Sequence, residues 1–101
     1  MTLPEWITSL RSSEPSSDLP RAFGWATVDL DRAVEESGLT DWAPMEEPTL
    51  GARGLRINLG LVDLVLLEPS TEGRLAAWLA RHGEGMAVEY PEIGPPRLRG
   101  G

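Results

Sequence analysis

Residues 68–92, EPSTEGRLAAWLARHGEGMAVEYPE, decide the fold assignment of this 101-residue chain. The stretch predicts the end of one strand, a helix, and then the short strand MAVEY. Four residues recur at the spacing of one helix face: Leu75, Trp78, Leu79 and His82. Ser70 or Thr71 can cap the start of this helix, and Gly83 is typical of the position after its end. A strand-helix-strand unit at the C-terminal end of the main body is therefore expected.

The residues before this stretch predict a β-α-β-β-β unit. AFGWATVDL alternates small and large side chains and predicts a strand over residues 22–28, after which Asp29 or Asp31 can cap a helix that ends at Gly38. An irregular strand is expected around residues 42–45. GLRINLG and LVDLVLLEP then predict a hairpin around Gly60, and the second strand is so apolar that both its faces should be buried.

Two terminal segments flank this main body, which we assign to residues 21–90. Residues 1–20 contain LPEWITSLRS, whose apolar residues have helical spacing, followed by the Ser- and Pro-rich linker SSEPSSDLP. Residues 91–101, PEIGPPRLRGG, have no pattern and three prolines, which predicts a flexible, extended or loosely docked tail.

Charge and composition exclude several classes of function. The net charge is −7 and the pI about 4.6, so an acidic surface would repel nucleic acid and anionic membranes. The chain has no cysteine, and all 9 of its basic residues are arginine, which excludes thiol and lysine chemistry. No secretion signal or apolar run of about 20 residues is found, so a cytoplasmic protein is expected.

Three segments resemble the vicinal oxygen chelate superfamily, in the order and at the spacing that its members have: GWATVDLDRAV, LGLVDLVLLEP and LAAWLARHGEG. This superfamily includes glyoxalase I, extradiol dioxygenases and methylmalonyl-CoA epimerase, and the epimerase and glyoxalase-like branch is the most similar. The resemblance covers residues 22–90. It implies an α+β fold, with one βαβββ glyoxalase-like module, an N-terminal helix, and a following helix and strand.

The resemblance also implies where a catalytic metal would be held. Its ligand positions fall on Ala22, Val65 and, at or near, Val88, while Glu68 matches a glutamate that is not a ligand. None of these three side chains carries an N, O or S donor, and a metal needs three or four. We therefore expect no metal and no other cofactor.

The chain is about half as long as the usual domain of this superfamily. One face of its sheet, including Phe23, Trp25 and part of residues 55–67, would then stay open to solvent, which predicts a homodimer. Alternatively, residues 1–11 or the tail fold over this face, or a different chain completes the sheet.

Five residues are predicted to line a cavity for a small organic molecule: Phe23, Trp25, Trp42, Ile57 and Val65. Aromatic walls with few polar groups suit a small apolar or planar ligand. Core packing is the alternative interpretation of the tryptophans. The sequence therefore favours a non-catalytic protein that binds a small molecule or a partner.

Two other functions remain open. His82, with Glu84 nearby, could serve a metal-free lyase or isomerase as a general base, although a histidine in the last turn of a helix commonly interacts with the helix dipole. The ending RLRGG is similar to the end of ubiquitin, so Gly101 could be joined to a partner or carry sulfur. The acidic pair Glu46-Glu47 is interpreted as solvated surface, as are Glu89 and Glu92.

Overall fold

The computed structural model describes residues 2–12, 22–60 and 62–99. In chain order the elements are α1 (Leu3–Ser12), β1 (Ala22–Ala26), α2 (Leu30–Ser37), β2 (Ala43–Glu47), a 3-10 turn (Pro48–Leu50), β3 (Ala52–Asn58), β4 (Asp63–Pro69), α3 (Arg74–His82), β5 (Gly85–Tyr90) and β6 (Arg97–Leu98). The predicted element order is confirmed, and so is the α+β fold class. The linker after α1 and the Gly100-Gly101 pair lie outside the described residues.

The strands form one mixed sheet in the order β2-β3-β4-β1-β5-β6. Strands β1 and β4 run parallel, joined through α2, β2 and β3, while the other neighbouring pairs are antiparallel. The tail contributes β6, in which Leu98 pairs with Val88 of β5. It was predicted to be extended or loosely docked, and its proline-rich part instead leads into a short edge strand.

Alternation along the strands gives the sheet two faces with different covers. We call them the α3 face, where Val65 and Leu67 pack with α3, and the α1/α2 face, where Leu64 and Leu66 pack with α1 and α2. All four of these β4 side chains have 0% exposure, which confirms that this strand is buried on both sides. Burial of each contributes about 1.5 to 3 kcal/mol.

Helix α1 packs over the apolar side chains of the α1/α2 face. Leu3, Trp6 and Ile7 occupy one side of the helix and are 2–5% exposed. The ring of Trp6 lies 5.1 Å from that of Trp25, at an interplanar angle of 40°. Of the arrangements considered for the open face, the structure therefore has the N-terminal helix of the same chain on it.

The helix ends agree with the sequence at three of four positions. Asp29 Oδ1 accepts a hydrogen bond from the Arg32 amide at 3.1 Å, and Gly38 and Gly83 end their helices with positive φ. The prediction that Ser70 or Thr71 caps α3 is wrong, because the cap residue is Gly73. The Ser70 and Thr71 amides instead donate to the Gly51 carbonyl at 2.9 and 3.4 Å, so the helix begins later.

Candidate functional site

The three positions that the resemblance assigns to metal ligands lie close together on the α3 face. Gly24 of β1 pairs with Val65 on one side and Val88 on the other. Ala22 lies two residues before Gly24 and on the same face of the sheet. Ala22, Val65 and Val88 are 0–1% exposed. Their side chains are hydrocarbon, so they do not fit a metal ion. Among residues 2–12, 22–60 and 62–99, no group of three or more His, Asp or Glu side chains is arranged to hold one.

Tyr90, the single tyrosine of the chain, lies over this part of the sheet. Its Cε2 atom is 3.5 Å from the point where a Cβ on Gly24 would lie, an ordinary contact distance, so the ring lies beside Gly24. The hydroxyl oxygen is buried and makes no hydrogen bond of normal geometry. Burial, followed by the nearby Glu47 carboxylate, raises the pKa of Tyr90 well above its usual value, and the Arg56 charge only partly opposes this.

Polar side chains from neighbouring strands lie on the same face. Arg56 on β3 donates to Asp63 Oδ2 on β4 at 2.6 Å, and Asn58 donates to Asp63 Oδ1 at 2.7 Å. Glu47, at the end of β2, accepts from the Thr49 hydroxyl at 2.7 Å. We call five residues the polar patch: Glu47, Arg56, Asn58, Asp63 and Tyr90.

The polar patch borders the core that helix α3 covers. Leu75 and Leu79 of this helix pack in one cluster with Leu50 and Leu67, and Tyr90 packs against the same cluster. Within the patch, Arg56 and Asn58 are exposed, whereas the other three residues are half-buried. The face therefore changes from a packed core under α3 to a partly solvated polar surface around Tyr90.

The polar patch can bind a small molecule through hydrogen bonds. It offers a neutral phenol, a carboxylate, and an arginine whose charge is already paired with Asp63. A phenol with a raised pKa stays protonated at neutral pH, so it acts as a hydrogen-bond donor and acceptor and not as a base. Ala22, Val65 and Val88 are already covered by other side chains, so they lie beneath the polar patch and do not themselves contact a molecule bound there.

The residues predicted to line a cavity are divided between the two faces. Phe23, Trp25, Trp42 and Ile57 come together on the α1/α2 face, packed with α1 and α2. The Trp42 indole donates to the Leu39 carbonyl at 3.0 Å. Only Val65 lies on the α3 face, because neighbouring residues of a strand point to opposite sides.

His82 is exposed at the end of α3, and its ring stacks against Trp78 at 4.7 Å. Glu84 is oriented instead toward the turn between β1 and α2, where it accepts hydrogen bonds from the Thr27 hydroxyl at 2.6 Å and the Val28 amide at 2.9 Å. Arg32 pairs with the same oxygen. Partial burial raises the pKa of Glu84, but these hydrogen bonds and the Arg32 charge outweigh it and hold the pKa below the usual value.

A second glutamate supports the same turn. Glu68 Oε2 accepts from the Leu30 amide at 3.0 Å, while its Oε1 binds the Arg53 guanidinium at 3.0 Å. Carboxylates favour the first turn of a helix because its amides are free and its dipole is positive there. Glu68 of the LLEP segment and Glu84 of the HGEG segment thus both stabilise the start of α2.

A separate groove of about 360 Å³ lies at the β2–β3 edge of the sheet, beside the start of α2. Its lining residues are Leu30, Pro44, Met45, Glu46, Arg53 and Gly54. Arg53 in this groove is already paired with Glu68. The charged side chains that line the groove are thus Arg53, which is paired, and the exposed Glu46.

The C-terminal segment is bound to the body of the protein up to Arg99. The Arg99 amide donates to the Ala87 carbonyl at 2.7 Å, and the Arg99 carbonyl accepts from the Trp78 indole at 2.7 Å.

Sequence reasoning missed most of the polar patch. Glu47 was interpreted as solvated surface, and Arg56, Asn58 and Asp63 were not singled out. One signal was present: in a hairpin centred near Gly60, residues 56 and 58 alternate with apolar ones and lie opposite Val65 and Asp63. The position of Tyr90 above Gly24 depends on the β1–β5 register, and no local pattern encodes it.

Comparison with known proteins finds the same fold in solved structures. A methylmalonyl-CoA epimerase from Streptomyces coelicolor, solved with 2-nitronate-propionyl-CoA, is 32% identical over 70% of this chain, with a TM-score of 0.56. The epimerase from Mycobacterium tuberculosis is 21% identical over 79% of this chain, with a TM-score of 0.62. A hypothetical protein from Bacillus halodurans is 20% identical over 73%, with a TM-score of 0.58.

These neighbours are members of the vicinal oxygen chelate, or glyoxalase-like, superfamily, which confirms the resemblance seen in the sequence. This chain spans 57–59% of the length of each of the three. No protein-family model matches the sequence, and no curated protein matches it significantly.

Proposed function

We propose that this chain, which has the glyoxalase-like fold of the vicinal oxygen chelate superfamily, binds a small organic molecule on its α3 face without a metal ion and without catalysis. One observation carries the proposal. Ala22, Val65 and Val88, at the positions that the resemblance assigns to metal ligands, are hydrocarbon and fully buried beside the polar patch. These three residues supply no metal ligand, so a molecule bound at the polar patch would meet hydrogen-bonding groups but no metal ion to activate it.

Similarity to the solved neighbours suggests an acyl compound as the class of ligand. Structures at 32% and 33% identity contain 2-nitronate-propionyl-CoA and methylmalonyl-CoA. Because the chain spans under two thirds of those proteins, the transfer of their ligand class is part of the proposal. On the α3 face, the acyl group would lie on the polar patch, with its polar atoms toward Tyr90 and the exposed side chains of Arg56 and Asn58.

The binding residues predicted from the sequence divide accordingly. Val65 would support the proposed site from beneath. Phe23, Trp25, Trp42 and Ile57 would act less directly, by holding the opposite face of the sheet against α1 and α2. A homodimer is part of the same proposal: a second copy would adjoin the polar patch and enclose the ligand. The absence of helices that could span a membrane, within the described part of the chain, is consistent with a protein that meets its ligand in water.

The experiment is a calorimetric titration of chelator-treated protein with propionyl-CoA and methylmalonyl-CoA, repeated with excess Co²⁺. We expect the same Kd with and without the metal ion. In parallel, NMR in D₂O follows exchange of the C2 proton of methylmalonyl-CoA, and we expect the rate of the protein-free sample.

Three outcomes would contradict parts of the proposal separately. Stoichiometric Co²⁺ uptake with faster C2 exchange would make the protein a metal-dependent enzyme. Exchange without metal that disappears in His82→Ala would favour the lyase or isomerase alternative. A monomeric mass by light scattering, with and without ligand, would remove the homodimer and leave the binding site.

A further inference from the structure

We propose that the β2 edge of the sheet binds an extended, basic segment of a partner protein, with an arginine or lysine over Glu46 and an apolar side chain in the adjacent groove. The proposal goes beyond the ligand site on the α3 face, because the groove lies on the opposite face. Its lining residue Arg53 pairs with Glu68, and the other oxygen of Glu68 accepts from the amide of Leu30. Leu30 packs against the core of the α1/α2 face.

Strand β2 has an open edge. It stands first in the sheet order and, within the described residues, pairs with β3 alone. Backbone groups on the outer side of an edge strand are free to pair with an added strand. Ala43, Pro44 and Glu46 are exposed along this edge. Because Pro44 has no N–H, β2 has one backbone donor fewer, so side-chain contacts must add to the binding of a partner strand.

A row of three charged side chains crosses the neighbouring strands. Glu46 of β2 lies opposite Arg53 of β3, which lies opposite Glu68 of β4. The Arg53 Nη2 and Nε atoms donate to Glu68 Oε1 at 3.0 and 3.3 Å. Within residues 2–12, 22–60 and 62–99, the Glu46 carboxylate has no hydrogen bond or ion pair. One uncompensated negative charge therefore lies at the open edge, where it can pair with a cation.

The groove adds an apolar surface beside this charge. Leu30 is half-buried and Pro44 exposed, and both line the groove of about 360 Å³. Side chains on one face of a strand are two residues apart, as Pro44 is from Glu46. A strand added to β2 thus places one side chain over Glu46 and the side chain two positions away over Pro44. The fitting pattern is a basic residue, any residue, and then an apolar residue.

Charge and exposure favour this occupant over two others. A second copy of the chain would bring a net charge of −7 and the same Glu46 and Glu47 carboxylates to the edge, which repel those already there. A free organic cation would remain largely in solvent on so exposed a strand, whereas small-molecule sites enclose most of their ligand. Charged side chains usually keep edge strands from pairing, but both charges on β2 are negative and attract a basic strand.

The test uses three peptides, each acetylated and amidated: TRTLTRT, TETLTET and TRTSTRT. The first has the fitting pattern in both directions, the second reverses its charge, and the third removes its apolar residue. Calorimetric titration should show TRTLTRT binding at least about tenfold more tightly than TETLTET and more tightly than TRTSTRT. Glu46→Gln should weaken TRTLTRT about two- to fivefold, as the loss of an exposed ion pair does. Amide NMR shifts on adding TRTLTRT should centre on residues 43–47.

Glu35→Gln is the matched control. It removes the same charge from an exposed position that does not line the groove, so the Kd of TRTLTRT should stay within about 1.5-fold of the wild type at 0.15 M salt. Equal effects of the two variants, equal binding of TRTLTRT and TETLTET, or shifts centred elsewhere would overturn the proposal, as would no binding of TRTLTRT.

Two further results would assign the edge to a different occupant and also overturn the proposal. One is a dimer by light scattering whose formation shifts the amides of residues 43–47. The other is binding of butylguanidinium as tightly as TRTLTRT, which would indicate a small-molecule site. All of these results leave the proposed function of the α3 face standing, because the groove lies on the other face of the sheet.

Discussion

The two faces of the sheet differ in how completely their side chains are packed and hydrogen-bonded. On the α1/α2 face, Trp25 stacks on Trp6, and Leu64 and Leu66 have no exposure at all. On the α3 face, the packed residues under α3 give way to the polar patch, where the Tyr90 hydroxyl is buried without a partner. The difference suggests a division of roles, in which one face stabilises the fold and the other is left free to recognise a ligand.

The largest expected effect is on the α1/α2 face. Trp25→Ala removes a ring that α1 covers and should lower the free energy of unfolding by about 3 to 5 kcal/mol. Trp78→Ala, at a half-buried position beside the α3 face, should cost less than half as much. Urea denaturation followed by circular dichroism measures both. Equal costs would contradict the idea that cover by α1 makes Trp25 the more stabilising of the two tryptophans.

The next effect tests the close packing of the α3 face at Gly24. A Cβ at this position would lie 3.0 Å from Val88 Cβ and 3.1 Å from Leu67 Cδ1. Gly24→Ala should therefore lower the free energy of unfolding by about 1 to 3 kcal/mol, because the added Cβ overpacks against these two side chains. Gly85→Ala is the control, since its Cβ would meet only Trp78 at 3.9 Å. Similar melting temperatures for the two variants would refute this packing.

A smaller effect concerns the β1–α2 turn. Glu84→Gln weakens the hydrogen bonds from Thr27 and Val28. It should lower the free energy of unfolding by about 1 kcal/mol at pH 7. Because the pKa of Glu84 in the folded protein lies below the ordinary 4.5, its stabilisation is complete above that pH and is lost as the pH falls through the folded value. The free energies of unfolding of the wild type and the variant should therefore become equal at acidic pH.

Denaturation curves at pH 7, 5 and 3 measure this convergence. The exposed Glu46→Gln serves as the control and should match the wild type in stability at pH 7. A constant difference between the Glu84 variant and the wild type from pH 7 to pH 3 would show that the carboxylate charge does not stabilise the turn.

The smallest expected change in stability is at Tyr90. Tyr90→Phe removes an unpaired buried hydroxyl and keeps the ring, so the free energy of unfolding should stay within about 0.5 kcal/mol or rise. Thermal unfolding without ligand measures it. A loss above about 1.5 kcal/mol would mean that the hydroxyl serves the fold of the unliganded protein.

The elements predictable from the sequence are those that depend on local chemistry. The α1 stripe, the Asp29 cap and the apolar β4 follow from side-chain spacing and are confirmed. The α3 cap was predicted wrongly, because Gly51, distant in sequence, binds the amides of Ser70 and Thr71. The polar patch was missed for a similar reason: Tyr90 and Glu47 come from strands far apart in the chain, and only the sheet order places them on one face.

The central claim is that the α3 face binds a small organic molecule without metal. Amide NMR shifts of isotope-labelled protein, measured in chelator while propionyl-CoA is added, test it most directly. The account predicts that the shifts centre on Val65, Val88 and Tyr90 and do not change when Co²⁺ replaces the chelator. Shifts centred on Trp25 and Trp42, or seen only with Co²⁺ present, would contradict it.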